Sequence, residues 1–253
     1  MIIINGNEIN TSSILQNYPQ NSIQEHIIQM LSESEDTYRY NTLDQLNFES
    51  NLRSSTVDAA ISLHRSRFSF KVFRESRCNP KYWERTNEGG FILKDGVEAS
   101  KGINDIYINS SMYGTECATA IVIVFYKAVL DVFKDDAFNS IFPKIHLMNW
   151  HYMDPKLGVN VYRNQSEYLP GDCRYVKNPD VDPLTPEWQG ENAIDLGNGR
   201  YYGHGIGIRS MDEIIRILNR FRKEDATESA YLMDSATRPD YNRLERLYNN
   251  YIR

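Results

Sequence analysis

Three cysteines in 253 residues, Cys78, Cys117 and Cys173, are too few, too far apart and odd in number for a disulfide framework. They point instead to a reducing compartment. No CxxC or HxxxH spacing occurs, and His146 and His151, five apart, match no common ligand pattern, so no metal site is expected. No apolar run approaches the roughly 18 residues of a membrane span; the richest, 116–133, is interrupted by Lys127 and Asp131. The amino terminus, MIIINGNEIN, has no basic segment and an early glycine, so neither a signal peptide nor a membrane anchor is expected there. Basic charge is not in excess. The net charge of -6 gives no electrostatic reason to expect nucleic acid or an anionic membrane as partner. Repeats, linkers rich in Pro or Ser and compositional breaks are also missing, so one domain over 1–253 is expected.

What is present fits a globular core: 41% hydrophobic and 25% charged residues, with 17 tyrosines raising the aromatics to 12%. Ser22-Ile23-Gln24-Glu25 is a capping box opening a short helix with Ile23, Ile27, Met30 and Leu31 on one side. The polar run LSESEDTYRYN separates it from a longer helical pattern over about 43–66. Residues 82–98 read as a hairpin around Glu88-Gly89-Gly90. The stretch 116–133 is apolar on nearly all sides, and its length favours a buried helix despite the β-branched Ile121 to Val124. Strand-like runs follow at 144–152, 172–176, 191–196 and 200–208. Ser210-Met211-Asp212-Glu213 is a second capping box, opening the helix DEIIRILNRFRK with Arg220, Arg222 and Lys223 in its last turn. A last stripe of Leu244, Leu247, Tyr248 and Ile252 reads as a surface helix or an assembly contact. Helices first, a buried helix next and antiparallel strands after it give an α+β fold.

Cys117 stands where polar sequence turns into the apolar run, and two readings are open. Free cysteine is a common core filler. With Thr115 as N-cap, however, Cys117 falls in the first helical turn, where free N–H groups and the helix dipole favour a thiolate. Adjacent Glu116 points about 100° away and serves equally well as an acid at a helix N-terminus. A base must therefore come from elsewhere. In WQGENAIDLGNGRYYGHGIGI, Asn198-Gly199 predicts a two-residue hairpin loop. That register pairs Ala193 with His204 and sets Glu191 and His204 as diagonal neighbours on one face. A half-buried, hydrogen-bonded histidine is the plainer account of His204. GHGIGI is no nucleotide fingerprint, and its glycines more readily admit a close approach.

Several collinear blocks carry a resemblance: YGTECATAIVIVFYKAVLD, NWHY, GDCRYVKNP, WQGEN, GHGIGI and FRKEDATESAYLMDSATR. Together they resemble the bacterial spore-coat transglutaminases, protein-glutamine γ-glutamyltransferases, from VDAAISLHRS at residue 57 to about residue 238. The resemblance implies a papain-like cysteine-hydrolase core, an antiparallel sheet against helices with the catalytic cysteine at a helix N-terminus. It implies N-terminal helices at about 20–66, a catalytic core at about 67–238 and a tail at 239–253. It implies catalysis by Cys117 with Glu191, Glu116 as a secondary partner, and a substrate tunnel lined by Phe70, Trp150, Tyr175, Trp188 and His204. RSRFSF, which holds Phe70, is the weakest of the matching blocks. Neither calcium nor any other cofactor is implied.

The implied reaction cross-links protein glutamine to lysine through a Cys117 thioester, releasing ammonia. The implied partners are glutamine- and lysine-bearing spore-coat proteins, with the enzyme a monomer made in the sporulating mother cell. Two alternatives stay open, a cysteine amidase or peptidase using water as acceptor and a non-catalytic coat protein. A glutamate partner raises a difficulty: ordinary values near 4.3 for Glu and 8.5 for Cys set about 6 kcal/mol against proton transfer. Burial of Glu191 would narrow that gap from one side and the helix N-terminus from the other.

Overall fold

In the computed structural model, which describes residues 1–252, the chain opens with a small sheet. β1 (Ile2–Ile4) pairs antiparallel with β2 (Asn7–Glu8) and parallel with β3 (Tyr38–Tyr40), which forms within the polar run expected to be a spacer. Two helices lie between, α1 (Thr11–Leu15) and α2 (Ile23–Glu33). Ser22 Oγ accepts from Glu25 N at 3.1 Å, as the capping box predicts. The Glu25 carboxylate reaches back to the N–H of Asn21 rather than to that of Ser22. Ile27, Ile28 and Leu31 close this end of the molecule against Ile2, Ile14 and Leu46.

α3 (Leu43–Arg65) matches the expected helix almost to the residue, capped by Thr42 Oγ1 on Gln45 N at 3.1 Å. β4 (Ser69–Phe70) follows, then the expected hairpin of β5 (Trp83–Arg85) and β6 (Phe91–Leu93). α4 (Ala99–Ile108) leads to β7 (Gly114–Thr115) and to α5 (Cys117–Ile141). α5 is two helical segments joined at Lys134, whose φ of +65° breaks the helix where the apolar run ends. Ile121 to Phe125 are all fully buried. Each contributes about 1.5–3 kcal/mol of apolar burial, which outweighs the few tenths that β-branching costs a helix. α3 packs along α5, so the two long helices share the main core.

β8 (His146–Leu147) joins the β5–β6 hairpin, a much shorter strand than 144–152 predicts. A six-stranded antiparallel sheet forms the other layer: β9 (Asn160–Arg163), β10 (Cys173–Lys177), β11 (Gly190–Asp195), β12 (Tyr201–Gly203), β13 (Gly207–Arg209) and, beyond helix α6 (Met211–Leu218), β14 (Tyr231–Arg238). The strand order is β13-β12-β11-β10-β14-β9. The run 200–208 is therefore two strands and a turn, not one strand. The capping box at Ser210 and Glu213 is reciprocal, but α6 ends at Leu218. Arg222 and Lys223 consequently lie past the helix; Arg222 still donates to the carbonyl of its C-cap Asn219, and to Glu228 O, while Lys223 pairs with Asp180. α7 (Tyr241–Ile252) packs its Tyr241 and Leu244 on the core. Among the described residues no helix is long and apolar enough to cross a membrane.

A buried ion cluster ties these layers together. Asp172, at the foot of β10, accepts from Arg53 Nη1 at 2.9 Å, from Arg238 Nη1 at 3.1 Å and from Leu169 N at 3.0 Å. Burial alone would raise the Asp172 carboxyl, but the two guanidinium groups hold it below the usual carboxylate range. A carboxyl lowered on folding stabilises the fold above its ordinary value near 4, and that stabilisation is lost as pH falls below it. Asp172→Asn leaves Arg238 without its carboxylate partner and the buried Arg53 with Glu49 alone, so it should cost about 3 kcal/mol in urea unfolding at neutral pH. The deficit should narrow below about pH 4, as the wild-type carboxyl protonates.

Candidate active site

The first turn of α5 sets the site. Its N-cap is Glu116, not Thr115. The Glu116 carboxylate accepts from Ala118 N at 2.5 Å, from Thr119 N at 2.8 Å and from the Thr119 hydroxyl. Thr115 belongs to β7, where it pairs with Phe70 of β4 and so carries that ring to the site. Thr119 Oγ1 also accepts from Asn149 N at 2.7 Å, anchoring the loop that holds Trp150. One acidic cap thus organises the helix start, the Trp150 loop and the position of Cys117.

Cys117 is half-buried on the floor of a groove of about 1140 Å³ whose walls include Phe70, Trp150 and Tyr175. Trp188 and His204 stand behind that wall. Trp188 stacks on Phe221 at 4.2 Å and on Phe70 at 5.8 Å, bracing the latter. His204 is buried against Phe68, with Nδ1 2.9 Å from Tyr202 Oη and Nε2 without a partner. Burial pushes His204 down to about 4, which keeps it neutral.

The hairpin register differs from the expected one by a residue. Ala193 pairs with Gly203, Ile194 with Tyr202 and Asp195 with Tyr201, around the three-residue loop Gly197-Asn198-Gly199. All three loop residues have positive φ, and this glycine-rich composition permits the longer loop. The shift puts Glu191 on the face of Ala193 and Gly203, and places His204 beyond the ladder. The absence of a side chain at Gly203 makes room for the Glu191 carboxylate. A Cβ there would lie 2.8 Å from Glu191 Oε1 and 2.9 Å from its Cγ. Gly203→Ala should therefore displace Glu191 while the protein still folds, lowering kcat about 10²-fold. Steady-state rates beside a thermal melt check this, and an unchanged kcat would show that the position of Glu191 is immaterial.

Glu191 is 2% exposed and its Oε1 has no hydrogen-bond partner. Burial first, then the nearby Glu116 charge, raises its carboxyl well above the usual range. Glu116 is itself raised by burial, with its cap bonds opposing. The Cys117 thiol is likewise pushed up, by burial, then Glu191, then Glu116, with Asn192 pulling the other way. Burial and the two carboxylates thus outweigh the helix N-terminus, contrary to the lowered thiol expected there. No hydrogen bond joins Glu191 to Cys117 Sγ among the described residues. The side chain that touches the sulfur is Asn192, whose Nδ2 donates across 3.5 Å. Sequence reasoning passed over Asn192, although an asparagine inside the largely apolar strand GENAID is itself a signal, because a buried amide needs partners. Cys78 and Cys173 are free and lie outside the groove lining. No group of three potential metal ligands occurs among the described residues.

Comparison with known proteins gives a consistent result. A family model described as protein-glutamine gamma-glutamyltransferase matches residues 1–248. A protein of that name from Bacillus mycoides (strain KBAB4) is 44% identical over 217 residues, covering 85% of this chain and 78% of the relative. One from Bacillus anthracis (strain CDC 684 / NRRL 3495) is 43% identical over the same shares. Among solved structures, a transglutaminase from Geobacillus stearothermophilus without its C-terminal extension superposes with a TM-score of 0.78 at 51% identity. That match covers 81% of this chain and 98% of the other. The α+β layout, with a sheet against a helix headed by cysteine, is the papain-like core expected of such proteins, and the chain belongs to the protein-glutamine gamma-glutamyltransferase family.

Proposed function

We propose that this chain cross-links proteins by moving the acyl group of a glutamine side chain to a lysine amine, with Cys117 as nucleophile and Glu191 as proton carrier. The observation that carries the reading is Cys117 at the head of α5, opening on a large aromatic-walled groove, with the buried Glu191 carboxyl on the adjoining strand β11. After burial, the Glu191 charge is the strongest influence on the Cys117 thiol. With both groups raised, the first proton must leave the pair before Sγ can pass its own to the Glu191 carboxylate. As Sγ attacks the carboxamide carbon, the thiol proton passes to the Glu191 carboxylate, then to the departing ammonia as the C–N bond breaks. In the second half-reaction a neutral amine attacks the thioester, Glu191 takes the amine's proton, and the thiolate leaves and recovers it. Glu191 and Sγ share no hydrogen bond without substrate and Glu191 leaves the face of β11 opposite Asn192, so the transfer between them runs through one bridging water.

Glu116 acts chiefly by capping α5, since both its oxygens already accept hydrogen bonds. Phe70, Trp150 and Tyr175 strip water from the entering lysine, favouring its neutral, nucleophilic form and protecting the thioester from hydrolysis. Trp188 and His204 hold that wall from behind. We place the protein substrates in the spore coat, which the Bacillus origin of the relatives supports, and read the enzyme as one domain, which a family match running over 1–248 supports; its being a monomer rests on the resemblance alone. Independence from calcium rests on the resemblance and is tested by adding a chelator. Incubation of a glutamine-rich protein with a labelled primary amine tests the reaction. Amine incorporation is expected; ammonia release without incorporation would identify a hydrolase, and neither product an inert protein.

A further inference from the structure

Adjacent residues of a strand leave opposite faces of the sheet, so β11 presents two different groups to its surroundings. Glu191 goes to the side of Gly203. Asn192 goes to the other side, which it shares with Tyr175, its partner across the ladder, and it lines the groove beside Cys117. The Asn192 Nδ2–Cys117 Sγ contact is 3.5 Å, and Asn192 is 9% exposed. Behind it, the Cys173 thiol lies 4.0 Å from Asn192 Oδ1. The amide is thus held at both ends, its oxygen toward one sulfur and its N–H toward the other. A second donor stands close by. In the first turn of α5 the N–H groups of Ala118 and Thr119 bond the Glu116 side chain and that of Ala120 bonds Glu116 O. The Cys117 N–H has no acceptor among the described residues.

We propose that Asn192 is a catalytic residue of this chain, its side-chain N–H holding the negative charge of the acyl transfer first on Cys117 Sγ and then on the substrate's carbonyl oxygen. The proposal rests on the reading of Cys117 as nucleophile. When Sγ bonds to the carboxamide carbon, the π pair of the C=O bond moves to oxygen. The sulfur then no longer carries charge, and the oxyanion sits on the carbon that the sulfur holds. The amide, already within bonding distance of the sulfur, is released to that oxygen, with the Cys117 N–H as its companion. Collapse returns the pair to C=O, breaks the C–N bond and expels ammonia with the proton that Glu191 holds. The deacylation step uses the same donors in reverse order, with the amine nitrogen forming the new bond and sulfur leaving as thiolate. Asn192 and Glu191, neighbours in sequence, thereby divide the work: one carries the proton and the other steadies the electrons.

A structural role for Asn192 would affect stability alone, so the test reads rate and thiol ionisation together. Asn192→Ala and Asn192→Asp are made in the full chain; the aspartate keeps the volume without the N–H and provides a folded test if alanine leaves a damaging cavity. Amine incorporation into a glutamine peptide gives kcat and KM, and iodoacetamide alkylation of Cys117, followed by peptide mass, gives the thiol's titration. Both variants are expected to lose about 10²-fold or more in kcat, with the larger part of the loss in kcat rather than KM. In both, the alkylation midpoint moves to higher pH, because a donor that favours the thiolate is gone. Asn192→Gln, which retains an amide, should recover part of the rate. A kcat within about threefold of the wild type, or an unmoved midpoint in either folded variant, overturns the proposal. Activity surviving in Cys117→Ala would instead overturn the nucleophile reading beneath it.

Discussion

Cys117→Ala is expected to lower amine incorporation by more than about 10³-fold, because the covalent route through the thioester disappears altogether. The other two cysteines are in no position to replace it. Cys173 is 1% exposed, inside the sheet, and Cys78 lies outside the groove with its thiol pushed up by burial to about 11. The fold should tolerate the change. Cys117 is the first helical residue of α5 and half-buried, and alanine is the best helix former there. A variant that melts like the wild type yet incorporates no amine isolates chemistry from structure. Residual incorporation above about a tenth of the wild-type rate would assign the acyl intermediate elsewhere.

Glu191→Gln is expected to lower kcat by about 10²–10⁴-fold, the range that a positioned acid and base contributes. Two further consequences separate this from a general disturbance. First, the carboxylate charge is what most raises the Cys117 thiol after burial. Its removal should shift the alkylation midpoint of Cys117 to lower pH even as transfer fails. This is the opposite direction to that expected of the Asn192 variants, and a more ionised yet less productive cysteine would locate the defect in proton transfer. Second, a neutral amide replaces a buried carboxyl whose Oε1 has no partner, so the melting temperature should hold or rise. In the wild type, the rate should climb with pH as the first proton leaves the pair, since burial raises both members. An upward alkylation shift in Glu191→Gln would contradict the pairing.

Much of this was readable from the chain, for identifiable reasons. The capping box fixed the start of α2, because Ser22 and Glu25 satisfy free N–H groups locally whatever the rest of the fold does. The length of the helical pattern over about 43–66 marked α3, whose Thr42 cap only the structure revealed. The apolar run beginning at Cys117 had to be buried on all sides, and the helix broke at Lys134 close to where that run stops. Strand pairing was less legible. Asn198-Gly199 signals a two-residue loop, yet Gly197 adopts a φ of +81° and extends it to three, a choice made by the sheet rather than by the dipeptide. That single residue moved His204 off the face of Glu191. β14 went unread because YLMDSATR lacks a clean alternation, and its register on β10 shifts between Arg174 and Val176. At the site, the position of Cys117 at a helix start was visible in the spacing, while Glu191 was assigned by resemblance. Asn192 was hidden because a strand's two faces acquire meaning only when the cysteine's side of the sheet is known.

The covalent intermediate provides the most direct measurement. Mixing the enzyme with a glutamine peptide, without amine, and quenching in acid should leave a protein heavier by the peptide less ammonia. Proteolysis should place the adduct on Cys117. Adding a primary amine before the quench should discharge it into the isopeptide product, and Asn192→Ala and Glu191→Gln should form it slowly. Amine incorporation with no such adduct, or with the adduct on another residue, would contradict acyl transfer through Cys117.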